Sequence, residues 1–133
     1  MQSPVVVVNA LIKNHSEDKF LIVKRNSKSK IHPSLWMFPG GKVEANEDLI
    51  EALKREIKEE TDLEIGDIKK ISEYEYKRPD NSITFGICFS AASKTESVKL
   101  NKELEDFKWI TPQEFKNYNH LKGLDEEIKK VFN

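Results

Sequence analysis

The stretch that decides the fold of this chain is residues 41–63, GKVEANEDLIEALKREIKEETDL. From Asp48 to about Thr61 it predicts a helix, because apolar side chains recur at the three- and four-residue spacing of one helical face. The side chains of that face are Leu49, Ile50, Leu53 and Ile57. Since this face must pack against the remaining chain, the helix is expected to be a central element of the fold.

Three glutamates, Glu56, Glu59 and Glu60, lie on this helix. At about 100° per residue they fall beside the apolar face, with Glu60 inside its edge. Carboxylates three and four residues apart repel one another, so a compensating cation is expected. Mg²⁺ or Mn²⁺ is favoured because the cluster offers hard oxygen ligands without Cys or His. Arg55 is in reach of Glu51 and Glu59, at i−4 and i+4, and would hold a carboxylate in place. The alternative is an ordinary salt-bridged surface helix.

Strand patterns precede and follow this helix in the sequence. Residues 5–12 are apolar on both faces, as in a buried central strand, and residues 20–23 predict its hairpin partner. Residues 83–91 alternate between apolar and polar or small side chains, which predicts a half-buried strand with Ile83 and Phe85 on its apolar face. The mixture of strands, helices, hairpins and crossovers indicates an α/β layered domain with a mixed sheet.

The composition is that of a folded domain. The length of 133 residues, without a Pro/Gly/Ser-rich linker, predicts one domain over residues 1–133. Lys+Arg number 22 against 23 Asp+Glu, and this balance disfavours a nucleic-acid polymer as partner while allowing a single nucleotide. With a single cysteine, Cys88, no disulfide framework is expected. Residues 1–4 carry no secretory signal and no stretch is long enough to span a bilayer, so a cytoplasmic location without membrane contact is expected.

Residues 41–63 resemble the Nudix box of the MutT-related hydrolases, whose pattern is Gly-x5-Glu-x7-Arg-Glu-aliphatic-x-Glu-Glu-x-Gly-aliphatic. Every defining position matches except one, since Asp62 stands where the family has glycine. That glycine closes the helix, commonly in a left-handed conformation, and Asp is among the few residues that tolerate it. The resemblance extends over nearly the whole chain and implies the Nudix-type α/β/α sandwich with a central mixed β-sheet.

The resemblance also implies roles for individual residues. Glu59 or Glu60 would touch the attacking water, and Arg55 is the arginine of the box. In many relatives an acid from a late loop completes the site or acts as base; Glu103 is the choice here, with Glu105 as alternate. Glu47 matches a further acidic position of the box. The metal ligands of the family correspond to the backbone carbonyl of Gly41 and to the carboxylates of Glu56, Glu59, Glu60 and Glu103.

For the substrate, the resemblance favours an NTP or dNTP pyrophosphohydrolase, similar to MutT, that releases a nucleoside monophosphate and pyrophosphate. Lys24 and Arg25 would complement the polyphosphate charge. Asn119 is placed like a base-reading asparagine of the MutT relatives. One of four aromatic residues would stack on a base, unless they belong to the core as strand aromatics usually do. These are Tyr74, Tyr76, Phe85 and Phe89. A monomer or a homodimer is equally compatible with the sequence.

Three alternatives stay open. The same box serves enzymes that hydrolyse ADP-ribose, nucleotide sugars or dinucleoside polyphosphates. A non-catalytic, nucleotide-sensing Nudix module is a second alternative, although such modules typically lose box glutamates that this chain retains. The third is a plain helix-mediated interaction domain, which predicts no stabilisation by metal on thermal unfolding.

Overall fold

The computed structural model describes residues 4–30, 32–78 and 80–132. Residues 1–3, which belong to the segment where the sequence predicts no secretory signal, lie outside these ranges. Within them the strands are β1 (Val5–Lys13), β2 (Phe20–Arg25), β3 (Trp36–Met37), β4 (Gly40–Lys42), β5 (Ile65–Lys77), β6 (Ile83–Ser93) and β7 (Leu104–Ile110). The helices are α1 (Leu49–Thr61), a 3₁₀ helix (Pro112–Asn117) and α2 (Leu124–Val131).

The seven strands form one mixed sheet in the order β3-β2-β1-β6-β5, with β4 beside β1 and β7 beside β2. β1 and β6 run parallel, whereas the pairs β2–β7 and β5–β6 are antiparallel. β1 lies in the middle and is fully buried at Leu11 and Ile12, which agrees with its apolar character on both faces. The predicted α/β architecture with a mixed sheet is confirmed.

The predicted hairpin of the first two strands forms at its turn, where Lys13 pairs with Phe20. Along the middle of β1, however, the antiparallel neighbour is β4, and Gly40 faces Asn9. Only glycine fits at this position, because a Cβ on Gly40 would lie 2.0 Å from the carbonyl oxygen of Val8. The glycine pair that precedes α1 is therefore part of the sheet and lies beside its central strand.

α1 begins and ends at residues that its sequence predicts. The Asp48 carboxylate accepts hydrogen bonds from the N–H groups of Ile50 and Glu51, at 3.1 and 3.4 Å, and so caps the N-terminus. The helix ends at Asp62, whose φ of 64° is left-handed, as expected for the position of the family's glycine. Leu49, expected to pack, is 36% exposed. The buried residues of α1 are Ala52, Leu53, Ile57, Glu60 and Thr61.

The predicted apolar face of β6 is wrong in the first half of the strand. Ile83 and Phe85 are 42% and 38% exposed, whereas Thr84 and Gly86 are buried. The reason is the neighbouring strand β5, because the ring of Tyr74 covers Gly86 so closely that a Cβ on the glycine would lie 2.0 Å from the tyrosine Cζ. Alternation in a strand shows which side chains share a face, but not which face another element covers.

The 3₁₀ helix and α2, in the last part of the chain, pack against the sheet. The 3₁₀ helix starts at a capping box, in which Thr111 N–H donates to the Glu114 carboxylate at 2.8 Å. Its Phe115 packs against Phe20 of β2, with ring centroids 5.9 Å apart, and α2 contributes the buried residues Leu124 and Ile128. No helix in the described ranges has the length and apolarity that a membrane crossing requires.

The left-handed backbone at Asp62 gives a first prediction. Replacing Asp62 with glycine is expected to raise the free energy of unfolding by about 0.5–1 kcal/mol, since glycine adopts positive φ without a Cβ penalty. Asp62→Val is expected to lower it by about 1–2 kcal/mol, because a β-branched side chain fits this conformation poorly. Urea denaturation measures both. Asp62→Asn serves as control for the exposed ion pair with Lys58 and should change the free energy of unfolding little. Equal stability of the Gly and Val variants would contradict the prediction.

Candidate active site

A cleft with a volume of about 650 Å³ opens on the sheet where β4, β1, β6 and β5 lie side by side. This is the size range of small-molecule sites in proteins. Its lining includes Val7, Asn9 and Cys88 from the central strands. Since β4 and β5 are three strand spacings apart, the cleft spans about 14 Å across the strands. The acidic side chains of α1 adjoin β4 at one end, and the tyrosines of β5 form the other.

Glu60 is the most deeply buried charge of the cleft, with 3% of its surface exposed. Gly40 N–H donates to its carboxylate at 3.0 Å, so the insertion of β4 into the sheet holds the side chain in place. Burial raises the pKa of Glu60 to about 8, and the nearby carboxylates of Glu56 and Glu103 push the pKa in the same direction. Arg25 and the Gly40 hydrogen bond offset only part of this effect.

Arg55 ties the loop before α1 to the helix. Its Nε and Nη2 donate to the two carboxylate oxygens of Glu47 at 2.7 and 2.8 Å, and Nη2 also donates to the Lys42 carbonyl at 3.0 Å. Its Nη1 donates to Glu56 at 2.9 Å and lies 3.4 Å from Glu59. Hydrogen bonding by Arg55 lowers the pKa of Glu47 to about 2. The guanidinium therefore fixes the position of the acidic loop and of one carboxylate of the cleft.

The structure corrects the expected partners of Arg55. Glu59 is a partner as predicted, but Glu51 is not among the ion-pair partners found within the described residues, and Glu47 takes its place. Glu47 precedes the helix, so a helical projection misplaces its side chain. Because both Glu47 oxygens are bound to Arg55, this residue positions the arginine.

The remaining predicted metal ligands gather at the same end of the cleft. Gly41, Glu56, Glu59 and Glu103 all line it. A Cβ on Gly41 would lie 2.3 Å from Oε2 of Glu56, so the absence of a side chain there lets the carboxylate approach the backbone. Burial raises the pKa of Glu56, partly offset by Arg55. Glu59 has an exposed side chain, at 55%, and Glu105 is not part of the lining in the described chain.

The donors suit a divalent cation, although their present positions do not enclose one. Among the described His, Cys, Asp and Glu side chains, no three converge as a metal site. Glu56 is held by Arg55 and Glu60 by Gly40 N–H, which accounts for the spread of the carboxylates. The chemistry fits nevertheless, because the donors are all oxygen and because a cation would offset the burial and repulsion that raise the pKa of Glu60.

Of Lys24, Arg25 and Asn119, only Arg25 lines the cleft in the described chain. Of the aromatic residues predicted to stack on a base, Tyr74 and Tyr76 line the cleft, whereas Phe85 and Phe89 are not among its lining residues. The Nε of Arg25 is buried and has no hydrogen-bond partner within the described protein, so it is free to bind an oxyanion. The pairing of β2 with β7 shifts register between Lys24 and Arg25, and Lys24 is not among the lining residues. Asn119 lies outside the lining too; its backbone carbonyl accepts from Trp36 N–H at 2.9 Å.

Glu127 and Asn9 are among the lining residues that the sequence did not assign to the site. Glu127 reaches the cleft from α2 and Asn9 from β1. For Asn9 a signal existed, because it interrupts the aliphatic run of residues 5–12 with a polar side chain. No such signal marks Glu127 in the sequence, because it follows two other acidic residues in the first turn of α2, as is typical of a solvated helix face.

Comparison with known proteins yields a consistent set of relatives. The family model described as the NUDIX domain matches residues 3–132. The chain is 28% identical over 123 residues to "Nucleoside triphosphatase NudI" from Escherichia coli O139:H28, a match that covers 85% of this chain and 86% of that protein. It is also similar to the crystal structure of the MutT protein from Methanosarcina mazei Go1, with a TM-score of 0.82, 25% identity and coverage of 98% and 95%.

A third relative supports the fold alone. The NUDIX domain of Shewanella oneidensis NrtR, solved in complex with ADP ribose, has a TM-score of 0.82 at 18% identity, over 100% of this chain and 91% of that one. Identity this low carries no argument about the ligand of the present chain. The agreement lies in the arrangement of the mixed sheet and its helices.

The buried Glu60 carboxyl predicts a pH-dependent stability in the absence of metal. A carboxyl group with a pKa raised from 4.5 to about 8 by folding stabilises the native state below its unfolded pKa, and this contribution is lost as the pH rises towards 8. The free energy of unfolding in EDTA is therefore expected to fall between pH 5 and pH 8.5 by an amount on the order of several kcal/mol. Glu60→Gln should reduce the dependence of the free energy of unfolding on pH, whereas Glu51→Gln, at an exposed position, should not. The same dependence on pH in the wild-type protein and both variants would refute the expectation.

The Arg55 contacts predict that lysine cannot replace this arginine. Arg55→Lys loses the two parallel hydrogen bonds to Glu47 and is expected to lower the free energy of unfolding by about 1–3 kcal/mol. Chemical denaturation of the variant measures the effect. Lys54→Ala, which removes an exposed cation from the adjacent position, is the matched control and should cost less than about 0.5 kcal/mol. A loss of the same size in both variants would show that the Arg55 network contributes nothing specific.

Proposed function

The chain belongs to the NUDIX family and is a Nudix hydrolase, and from this premise we propose that it hydrolyses nucleoside triphosphates to a nucleoside monophosphate and pyrophosphate. The observation that carries the proposal is the division of the cleft. Carboxylates and Arg25, whose Nε has no hydrogen-bond partner within the described protein, lie at one end, and an aromatic surface lies at the other. A nucleotide has the same division, with phosphates at one end and a base at the other. The length of the cleft suits a substrate of this kind.

In the proposed reaction a water oxygen attacks the α-phosphorus in line with the bond to the β-phosphate oxygen. The new P–O bond forms as the anhydride bond breaks, and pyrophosphate leaves with the bonding electron pair. Glu59 or Glu60 accepts the proton of the water. Arg25 binds phosphate oxygens through the Nε that lacks a protein partner. Arg55 acts indirectly, by holding Glu56 and the loop that carries Gly41.

A divalent cation, Mg²⁺ in the proposal with Mn²⁺ as substitute, would neutralise phosphate charge and acidify the attacking water. Its protein ligands would be the carboxylates of Glu56, Glu59, Glu60 and Glu103 and the backbone carbonyl of Gly41. The raised pKa of Glu60 supports this assignment, because a carboxylate buried beside two others is stabilised by a cation among them. The cytoplasmic location and the monomeric or homodimeric state stay predictions of the sequence.

The choice of triphosphates over the alternatives follows from the relatives and from the cleft. NudI is named a nucleoside triphosphatase and is similar over 85% of this chain. ADP-ribose, nucleotide sugars and dinucleoside polyphosphates carry a second sugar or nucleoside beyond the phosphates. In the described structure the phosphate end of the cleft is lined by carboxylates and arginine, and its aromatic surface lies at the opposite end. One base platform therefore favours a substrate with one base.

The test is a steady-state comparison of NTPs, dNTPs, ADP-ribose and diadenosine tetraphosphate with Mg²⁺ and with Mn²⁺. Pyrophosphate and inorganic phosphate are measured separately. Metal-dependent release of pyrophosphate from triphosphates is expected to be fastest. Faster turnover of ADP-ribose or of the dinucleotide would overturn the substrate assignment, and release of phosphate in place of pyrophosphate would overturn the bond assignment.

The roles of the carboxylates are tested in the same assay. Glu59→Gln and Glu60→Gln are each expected to lower kcat by about 100- to 1000-fold, because each removes a charged group from the reaction centre. Glu51→Gln, on the exposed side of the same helix, is the control and should keep full activity. Unchanged turnover in both site variants, with every substrate, would exclude these residues from the chemistry and favour a nucleotide-sensing module.

A further inference from the structure

We propose that Glu127, assisted by Asn9, makes the cleft selective for nucleotides whose base carries an amino group where uracil and thymine carry a carbonyl. Cytosine and adenine are the bases favoured. The inference rests on the proposed function, because it assigns the base end of the same cleft. It adds a specificity determinant on α2, an element that contributes nothing to the acidic end.

The aromatic end is built as a surface on which a flat ring can lie. Tyr74 and Tyr76 stack with ring planes 10° apart and centroids 6.4 Å apart. Gly86 permits this arrangement, because the Tyr74 ring occupies the space of its missing side chain. Both tyrosines line the cleft and keep 37% and 41% of their surface exposed. Open aromatic faces next to a cleft stack well on any base, so they provide affinity without selecting a base.

Selection requires a group that reads the edge of the ring, and Glu127 is placed to do so. Its side chain is 13% exposed and lines the cleft. Ser72 Oγ donates to its Oε2 at 2.5 Å, and Lys130 Nζ lies 3.5 Å from its Oε1. Burial, then the negative charge of Glu127 and a hydrogen bond to its carboxylate, raises the pKa of the adjacent Cys88 thiol, so Cys88 is a third neighbour of this carboxylate. A carboxylate has about four lone-pair positions, so these neighbours leave acceptor capacity for a ligand.

Asn9 supplies the second polar group of this end. It pairs directly with Cys88 on the parallel neighbouring strand, so the two side chains share a face of the sheet. Its Oδ1 is buried and has no hydrogen-bond partner within the described protein. An unpaired buried acceptor is unfavourable until a donor reaches it. The floor of the cleft thus presents two acceptors, the Asn9 oxygen and the Glu127 carboxylate, on either side of Cys88.

Two cations that line the cleft are Arg78 and Lys122. The Nε of Arg78 donates to Thr84 Oγ1 at 2.7 Å, and Lys122 is exposed to solvent. A base with an exocyclic amino group donates hydrogen bonds to the acceptors of the floor. A base with a carbonyl at the same place directs its lone pairs at a carboxylate, which is unfavourable where solvent is largely excluded.

The experiment compares substrates that differ only at this group. dCTP and dUTP differ in an amino group against a carbonyl, and dATP and dITP form the same contrast on a purine. The wild-type protein is expected to favour dCTP over dUTP and dATP over dITP by about 10- to 100-fold in kcat/KM. Glu127→Gln, which replaces one acceptor with an N–H donor, should lower kcat/KM for the amino-bearing substrates and bring both ratios to about 3-fold or less. The matched control is Glu126→Gln, because Glu126 directly precedes Glu127 and its side chain is 66% exposed. This variant should keep the wild-type ratios.

The outcomes separate the two proposals. If the wild-type protein hydrolyses no nucleoside triphosphate, the proposed function fails and this inference fails with it. If it hydrolyses both members of each pair equally, or if Glu127→Gln keeps the wild-type ratios, the inference is overturned while the function stands. Thermal unfolding checks that the variant is folded. If Glu127→Gln is not folded, Ser72→Ala is tested in its place. Lower dCTP/dUTP and dATP/dITP ratios of kcat/KM in Ser72→Ala would support the inference, and unchanged ratios would oppose it.

Discussion

The rest of the site depends on the burial of one carboxylate, that of Glu60, against the backbone N–H of Gly40. A glutamate on the edge of an apolar helix face has to be accommodated, and this fold does so by inserting β4 between α1 and the central strand. Gly40 makes the insertion possible, since no side chain fits between it and β1. The same contact joins α1 to β4 through one hydrogen bond of 3.0 Å.

Arg55 stabilises the arrangement from the opposite side of the helix. It binds the loop before α1 through Glu47 and the Lys42 carbonyl, while its third nitrogen attracts Glu56. The acidic end of the cleft therefore combines a carboxylate paired with an arginine and a buried one that lacks a charged partner at hydrogen-bond distance. Burial raises the pKa of Glu60 to about 8. The hydrogen bonds from Arg55 lower the pKa of Glu47, which is not among the residues that line the cleft, to about 2. A divalent cation and a phosphate chain are the natural complement of such an end.

The opposite end of the cleft is organised by a different constraint, the packing of Tyr74 on Gly86. This contact covers the first half of β6 from one side and leaves Ile83 and Phe85 exposed on the other. Glu127 then arrives from α2 above Ser72 of β5. The central strands β1 and β6 separate the two ends, so the proposed recognition of a base and the proposed chemistry on phosphate involve different residues of one cleft.

The sequence indicated the features that depend on local patterns: the extent of α1, its left-handed end at Asp62 and the placement of Glu56, Glu59 and Glu60 on one side of the helix, where all three line the same cleft. It also indicated a mixed sheet, because the strand and helix patterns alternate. Contacts between distant segments were decided by the tertiary structure alone. These include the insertion of β4, the pairing of Arg55 with Glu47, the entry of Arg25 but not Lys24 into the cleft, and the approach of Glu127. The physical reason is that periodicity fixes which side chains share a face, whereas the partner of that face is set by which remote segment excludes water from it.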